Sequence, residues 1–171
     1  MQLLKIYYAY FSPGNTTEKV VSHIASSFQN YPVESINLTD YATRQEDYYF
    51  KENELLIIGV PAYGGRVPAP VVDALRHFTG SNTPVVLVAT YGNRDIDDTL
   101  IELKKNVIDK GFIPVGAASF VCQHTFLKEC AEGRPDEEDL KMAGEFGDKL
   151  KERLRLLVTY DAGDLEVPGT F

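Results

Sequence analysis

Cysteine is scarce in this sequence: the 171 residues contain only two, Cys122 and Cys130. They form no Cys-x-x-Cys pair, and no pair of histidines stands beside them at zinc-binding spacing. Two thiolates are also too few for an iron–sulfur cluster of the usual kind. We therefore predict no metal centre, two ordinary reduced thiols and a cytoplasmic protein.

Long apolar runs are missing as well. The longest, such as residues 55–63, fall far short of the roughly 20 apolar residues that a membrane-spanning helix needs. The N-terminus carries one lysine and no small-residue cleavage site, so it does not match a secretory signal peptide. No membrane partner is expected.

Positive charge is in deficit. Lys and Arg number 17 against 25 Asp and Glu, which gives a formal net charge of −8 at pH 7. Nucleic acids and anionic membranes favour basic surfaces, so this balance argues against both as main partners and favours a basic protein. The length fits one domain, and 44% apolar with 25% charged residues is typical of a soluble globular protein.

Strand-like apolar runs alternate with helical periodicity along the chain. Strands are predicted at 3–10, 33–38, 55–60, 84–89 and 112–121. Helices are predicted at 17–29, 71–78, 95–110 and 135–158, with one helical turn inside the loop 39–53. This alternation predicts an α/β domain over residues 1–159, with a parallel sheet covered by helices on both faces, and an irregular tail over 160–171.

The loop after the first predicted strand carries hydroxyl groups and a glycine at the start of a helix. Free amides and the helix dipole at such a position favour an anion, and hydroxyls donate to phosphate oxygens. The loop lacks the lysine of a nucleoside-triphosphate loop and the Gly-x-Gly-x-x-Gly of a dinucleotide site. A plain helix-capping loop is the alternative.

The loops after the third and fourth predicted strands each combine tyrosine, glycine and arginine. Tyr63 and Tyr91 offer aromatic faces, and Arg66 and Arg94 offer positive charge. Each loop alone reads equally well as a strand-to-helix turn. All three loops follow strands of one parallel sheet, whose ligands bind beyond the carboxyl ends of the strands, so together they predict a binding site.

Four segments carry a resemblance to a known family: Tyr10–Pro13, Tyr63–Pro68, Tyr91–Arg94 and Gly133–Leu140. The sequence resembles flavodoxin-like domains, most closely the flavodoxin part of flavodoxin–ferredoxin fusion proteins of anaerobes. The resemblance implies five parallel strands in the order 2-1-3-4-5 and bound flavin mononucleotide (FMN). It also implies electron transfer to or from a redox partner protein, of ferredoxin or reductase type, that would be basic.

The same resemblance assigns cofactor-binding residues. The FMN phosphate would be held by Ser12, Gly14, Asn15, Thr16 and Thr17. The isoalloxazine ring would lie between two further groups of residues, namely Ala62, Tyr63, Gly64, Gly65 and Arg66, and Thr90, Tyr91, Gly92, Asn93 and Arg94. A Gly64–Gly65 peptide free to turn would direct a carbonyl at the ring, and Arg66 or Arg94 would offset the charge of the reduced ring. No catalytic residue is predicted.

The sequence departs from the family pattern at the phosphate loop. Gly14 stands where threonine is usual and Asn15 where glycine is usual, so a hydroxyl is lost and weaker FMN affinity is expected. Asparagine tolerates positive φ better than most residues, which favours the turn. The fusion proteins would continue with a cysteine-rich ferredoxin segment that this sequence does not contain, so we expect either a lone flavodoxin-like protein or a truncated one.

Two other functions stay open. One is an NAD(P)H-dependent flavin reductase or oxidoreductase, although nothing in the sequence resembles a nicotinamide site. The other is a flavin-free binding module with the same fold, which the altered phosphate loop favours. His124, in the loop after the last strand, is either solvated or close to an edge of the flavin.

Overall fold

The computed structural model describes residues 2–92, 94–157 and 165–171. The strands are β1 (Lys5–Tyr10), β2 (Val33–Asn37), β3 (Tyr48–Phe50), β4 (Glu54–Pro61), β5 (Phe78–Gly80), β6 (Thr83–Tyr91) and β7 (Phe112–Val121). The α-helices are α1 (Thr16–Ala25), α2 (Tyr41–Arg44), α3 (Ala69–Leu75), α4 (Thr99–Ile108) and α5 (Glu137–Leu156), and a 3-10 turn, Ser26–Phe28, follows α1.

Five strands form one parallel sheet in the order β2-β1-β4-β6-β7. Numbered among themselves along the chain, these five strands run second, first, third, fourth, fifth. The switch point lies between β1 and β4. From β1 the chain adds β2 toward one edge of the sheet, and from β4 it adds β6 and β7 toward the other edge. The predicted α/β class and parallel sheet are confirmed.

A second, two-stranded sheet of β3 and β5 was not predicted. The sequence predicts a loop with one helical turn over 39–53 and a helix that continues to Phe78, whereas α3 ends at Leu75. Phe50 and Phe78 are both almost fully buried, with ring centroids 5.4 Å apart. Burial of these aromatic rings against α3 and α4 stabilises three-residue strands that have too few residues for a recognisable period.

The helices cover both faces of the sheet, as expected. Apolar residues of α3 and α4 pack on one face, and those of α1 and α5 pack on the other. Residues 55–58 of β4 and 85–89 of β6 are wholly buried, because strands at the centre of such a sheet have a helix layer on each side. No helix in the described ranges is both long and apolar enough to cross a membrane.

The predicted helix over 95–110 begins four residues late, at Thr99. Asp95 Oδ1 accepts a hydrogen bond from the amide of Ile96, and Asp97 has a φ of +41°, so the chain turns here before it enters the helix. The predicted end of the last helix, at 158, and the domain boundary at 159 lie outside the described residues.

A glycine in β4 sets how closely α1 approaches the sheet. A Cβ atom at Gly59 would lie 2.3 Å from Val21 Cγ1 and 3.1 Å from Thr17 Cγ2, both on α1. Only a residue without a side chain fits such an approach. The first turn of α1 is thereby held against the carboxyl half of β4, which places its N-terminus at the carboxyl edge of the sheet.

Candidate ligand pocket at the carboxyl edge of the sheet

One pocket, of about 150 Å³, lies at the carboxyl edge of the main sheet. It is formed by the start of α1 and by the loops that follow β4, β6 and β7. The lining residues are Thr16, Pro61, Ala62, Tyr63, Gly64, Thr90, Tyr91, Gly92, Cys122, Gln123, His124, Thr125 and Phe126. The structure thus brings together residues from all three predicted loops, and adds a fourth.

The first loop turns tightly into α1. Asn15, the N-cap, has a φ of +63°, and its amide donates to the Ser12 carbonyl over 3.1 Å. The Ser12 hydroxyl, which is buried, accepts a hydrogen bond of 3.0 Å from the amide of Glu18. The Asn15 side chain makes no capping hydrogen bond, so the amides of Thr16 and Thr17, which have no partner within the helix, face the position that an anion favours.

The hydroxyls of this loop differ in how they are used. Thr17 is buried, and its hydroxyl shares a 2.8 Å hydrogen bond with the hydroxyl of Thr90, which joins α1 to the end of β6. Thr16 is partly exposed and lines the pocket. Gly14 and Asn15 are exposed and lie outside the lining residues.

The second loop is a two-residue hairpin turn. The amide of Tyr63 donates to the Arg66 carbonyl over 3.0 Å, and the amide of Arg66 donates back over 3.1 Å. Gly64 and Gly65 have φ values of +59° and +74°, which only glycine adopts without strain. The Gly65 carbonyl also accepts from the amide of Asp98, so this turn is fixed to the start of α4.

The two arginines are paired with carboxylates and are not among the residues that line the pocket. The Arg66 guanidinium donates two hydrogen bonds, of 2.7 and 3.1 Å, to Glu102, and it stacks over the ring of Phe171, 4.4 Å from its centroid. Arg94 pairs with Asp97 and is exposed. Neither guanidinium lines the pocket, and the predicted role of either charge toward a bound ring stays a prediction. Asn93 lies outside the described residues.

The Arg66–Glu102 pair fixes the hairpin to α4 and sets the charge of Glu102. Burial opposes ionisation of this carboxyl group, but the hydrogen bonds from the Arg66 guanidinium and from the Val67 amide outweigh burial. The pKa of Glu102 is therefore below its ordinary value. The carboxylate is charged at neutral pH and neutralises the guanidinium.

Aromatic rings form the wall beside the hairpin. Tyr63 lies edge-on to Phe11, with centroids 6.3 Å apart, and is also 6.3 Å from Phe126. Tyr91 is partly buried and lines the pocket at the end of β6. Tyr63 and Tyr91 thus both supply aromatic surface to this pocket, as the sequence predicts.

The loop after β7 was not predicted as part of the site, apart from His124. It supplies five lining residues, Cys122–Phe126. Because β7 is parallel to the other strands, its carboxyl end lies at the same edge of the sheet, and that rule would have identified the loop. Burial raises the pKa of the Cys122 thiol to about 12, so this thiol is neutral and unreactive in the pocket wall.

The donor set of the pocket fits a phosphorylated planar ring in chemistry. The start of α1 offers amides and the Thr16 hydroxyl, and the other walls offer aromatic rings and the Thr90 and Thr125 side chains. The volume of about 150 Å³ is smaller than the roughly 300 Å³ at the lower end of small-molecule sites. A ligand of the size of FMN would therefore extend beyond this pocket on its exposed side, where Phe126 is 79% exposed.

Within the described residues, no group of three or more His, Cys, Asp or Glu side chains is arranged to hold a metal ion.

No family model matches the sequence, and no curated protein matches it. Solved structures are similar to it. An archaeal flavodoxin superimposes with a TM-score of 0.61 at 14% identity, over 89% of this chain and 99% of that one. Megasphaera elsdenii flavodoxin gives 0.53 at 19% identity, over 84% and 98%. Rubredoxin oxygen:oxidoreductase from Desulfovibrio gigas gives 0.60 at 15% identity, over 90% of this chain and 38% of that one.

The molecule is thus an α/β domain with a five-stranded parallel sheet and a pocket at its carboxyl edge. Within that class, the similar structures show the flavodoxin-like fold, which confirms the fold predicted from the sequence. The closer resemblance to ferredoxin-fused members stays a prediction, as do the cofactor-binding roles of the individual residues.

Proposed function

We propose that the protein binds FMN in the pocket at the carboxyl edge of the sheet and acts as an electron carrier between partner proteins. One observation carries the proposal. The start of α1, which suits a phosphate, and the tyrosine-bearing loops after β4 and β6, which suit a flat ring, lie in a single pocket. Two of the similar structures are flavodoxins by name.

The residues of the chain have separate tasks in this proposal. The amides of Thr16 and Thr17 and the Thr16 hydroxyl bind the phosphate. Tyr63 and Tyr91 pack against the ring and exclude water from its faces. When bound, FMN supplies the capacity to accept and release electrons, and the protein tunes this through hydrogen bonds, charge and burial.

The second loop limits where the backbone can respond to the ring. A Cβ placed at Gly64 has no neighbour within 4 Å, so this residue borders open space. The Gly65 carbonyl belongs to the next peptide, which it fixes by accepting from the amide of Asp98. Turning of the Gly64–Gly65 peptide changes ψ of Gly64 and φ of Gly65, so it involves both glycines and does not require the Gly65 carbonyl to leave Asp98.

A basic redox partner is part of the proposal. Phe126, which lines the pocket, and its neighbour Leu127 are 79% and 57% exposed, and the chain carries a net charge of −8. An apolar contact beside the pocket would bring a partner close, and the acidic background would attract a basic one. Association is then expected to weaken as salt increases.

A flavin-free binding module is the second candidate. The small volume of the pocket favours it, since about 150 Å³ accommodates a ligand well below the usual size. An NAD(P)H-dependent reductase has no comparable support from the described residues.

The test is an absorption spectrum of the purified protein before and after FMN is added and the excess is removed. The proposal predicts stoichiometric flavin absorbance, tighter binding of FMN than of riboflavin, and no NAD(P)H oxidation without a partner. Thr16→Val should weaken FMN binding and leave riboflavin binding unchanged. Thr79→Val, at an exposed site in β5 away from the pocket, is the matched control.

A protein that takes up no FMN would overturn the proposal and favour the binding module. Steady oxidation of NAD(P)H by the loaded protein alone would favour a reductase instead.

A further inference from the structure

We propose that His124 is a ligand-binding residue whose ring is locked with its proton on Nε2, and that it donates a hydrogen bond from Nε2–H to an acceptor atom on the edge of the ring bound in the pocket. The inference rests on the proposed function, because it names a further residue of the same site. It concerns a loop that none of the predicted phosphate-binding or ring-binding segments includes.

Hydrogen bonds from the loop fix the tautomer of His124. Its Nδ1 atom accepts hydrogen bonds from two backbone amides, those of Phe126 at 3.1 Å and Leu127 at 3.0 Å. A nitrogen that accepts in this way carries no proton, so the proton of the neutral ring is on Nε2. The loop's own backbone therefore determines which nitrogen is the donor.

The position of the His124 ring is set by its packing on Gly92. A Cβ atom at Gly92 would lie 2.6 Å from His124 Cδ2 and 2.9 Å from its Cβ, so the histidine packs directly on the backbone of Gly92. The backbone on the other side is also held, because the His124 amide donates to the Cys130 carbonyl over 3.0 Å, and the Cys130 thiol donates to the Gly92 carbonyl over 2.8 Å. The ring thus packs on the loop after β6, and the backbone that carries it is held by hydrogen bonds within the loop after β7 and from that loop to Gly92.

The Nε2 atom of His124 stays available for a ligand. Nδ1 is engaged by the loop and Cδ2 packs against Gly92, which leaves Nε2 on the remaining edge of the ring. No described residue accepts a hydrogen bond from Nε2. His124 lines the pocket together with Phe126, whose ring centroid is 6.2 Å from its own. A fixed donor of this kind suits a planar heteroaromatic ligand with an acceptor on its edge.

A purely structural role would also explain the two bonds at Nδ1, since histidine would then only cap the turn over 126–130. Two substitutions separate the roles. His124→Asn places a side-chain oxygen near the position of Nδ1 and keeps the cap, but it has no group at the position of Nε2. His124→Gln places an N–H donor near the position of Nε2 and removes the cap. His23→Asn, at an exposed position on α1, is the matched control.

The experiment measures three quantities for each variant: the FMN dissociation constant, hydrogen exchange at the amides of Phe126 and Leu127, and the ring nitrogen signals of His124 in a nitrogen-15 NMR spectrum. In the wild type, we expect the neutral Nε2–H tautomer and a shift of the Nε2 signal when FMN binds. His124→Asn should keep both amides protected and weaken FMN binding roughly 3- to 10-fold, the effect of one hydrogen bond. His124→Gln should expose the amides to exchange and bind FMN more tightly than His124→Asn does.

Several results would overturn the inference. It fails if His124→Asn keeps the amides protected and binds FMN like the wild type, because capping is then the whole role of the residue. If His124→Asn loses amide protection, the nitrogen-15 NMR spectrum of the wild type is the test instead. An Nε2 signal that does not change when FMN binds then overturns the inference. A wild-type protein that takes up no FMN overturns the proposed function and this inference with it, whereas the first two results overturn this inference alone.

Discussion

Replacing Gly59 by alanine should force α1 away from β4. The new Cβ would lie 2.3 Å from Val21 Cγ1, whereas ordinary contacts begin at 3.4 Å, so about 1.1 Å of movement is needed. Overpacking of this kind costs roughly 1–3 kcal/mol, and the backbone entropy gained on replacing a strand glycine returns only about 0.5–1 kcal/mol. The steric cost is the larger, and we expect Gly59→Ala to lower the free energy of unfolding by about 1–2 kcal/mol.

The same contact predicts a compensating substitution. Val21→Ala alone removes buried carbon atoms worth about 0.8 kcal/mol each and leaves a cavity, so it should also destabilise the protein. In the double variant the alanine at 59 fills that space, because Val21 Cβ would lie at an ordinary 3.6 Å and only the milder contact with Thr17 Cγ2, at 3.1 Å, remains. The double variant should therefore be more stable than the sum of the single effects implies, by roughly 1–3 kcal/mol.

Urea denaturation of the wild type and three variants, followed by circular dichroism, gives the four free energies of this cycle. Effects that add to within about 0.5 kcal/mol would refute the argument, because residues without shared contacts behave in that way. Thr17→Ser in the Gly59→Ala background is a further control. It removes Cγ2, which a Cβ at 59 would approach to 3.1 Å, and it should relieve less strain than Val21→Ala does.

Three further predictions follow from individual contacts. Glu102→Gln should destabilise the protein at neutral pH. Contacts with Arg66 lower the folded-state pKa of Glu102, so the stability that its charge contributes is present above the unfolded pKa and is lost as pH falls. In thermal melts, wild type and variant should therefore converge as the pH falls below about 4.5. A constant difference down to about pH 3 would contradict this. Gly64→Ala should lower the free energy of unfolding by about 1–2 kcal/mol, which is the cost of alanine at positive φ. Gly65→Ala should lower it by more, because the Asp97 side chain occupies the space that the new Cβ needs, and equal losses in urea titrations would contradict that contact. Cys122 should resist alkylation until the protein unfolds, since its pKa is about 12 and it is buried, and mass spectrometry that finds it labelled in native protein at the rate of an exposed thiol would contradict the structure.

The fold was accessible from sequence because its strands are buried on both faces. The apolar run over 55–60 can only be covered by a helix layer on each side of a sheet, and the intervening helical periods supply those layers. The two-stranded sheet of β3 and β5 was not accessible, because three residues carry no period. Its existence depends on where Phe50 and Phe78 pack in the folded core.

The site was accessible in part for a similar reason. Loops that follow parallel strands must share one edge, so Thr16, Tyr63 and Tyr91 could be grouped from sequence alone. The positions of the charged groups around the site could not be predicted from the sequence alone. Arg66 looks available in the sequence, and only the folded chain brings Glu102, 36 residues later, against it, whereas Arg94 pairs with Asp97 only three residues away.

The sequence by itself determined the fold class, the carboxyl-edge location of the pocket and the type of loop at each strand end, because these depend on periodicity and on glycine positions within short segments. The tertiary structure alone decided which groups point into the pocket. It paired Arg66 with Glu102, 36 residues later in the chain, and it packed His124 on Gly92, 32 residues earlier, with its Nδ1 bonded to the loop. Contacts of this kind join residues distant in sequence, and their geometry exists only once the sheet has brought the strand ends together.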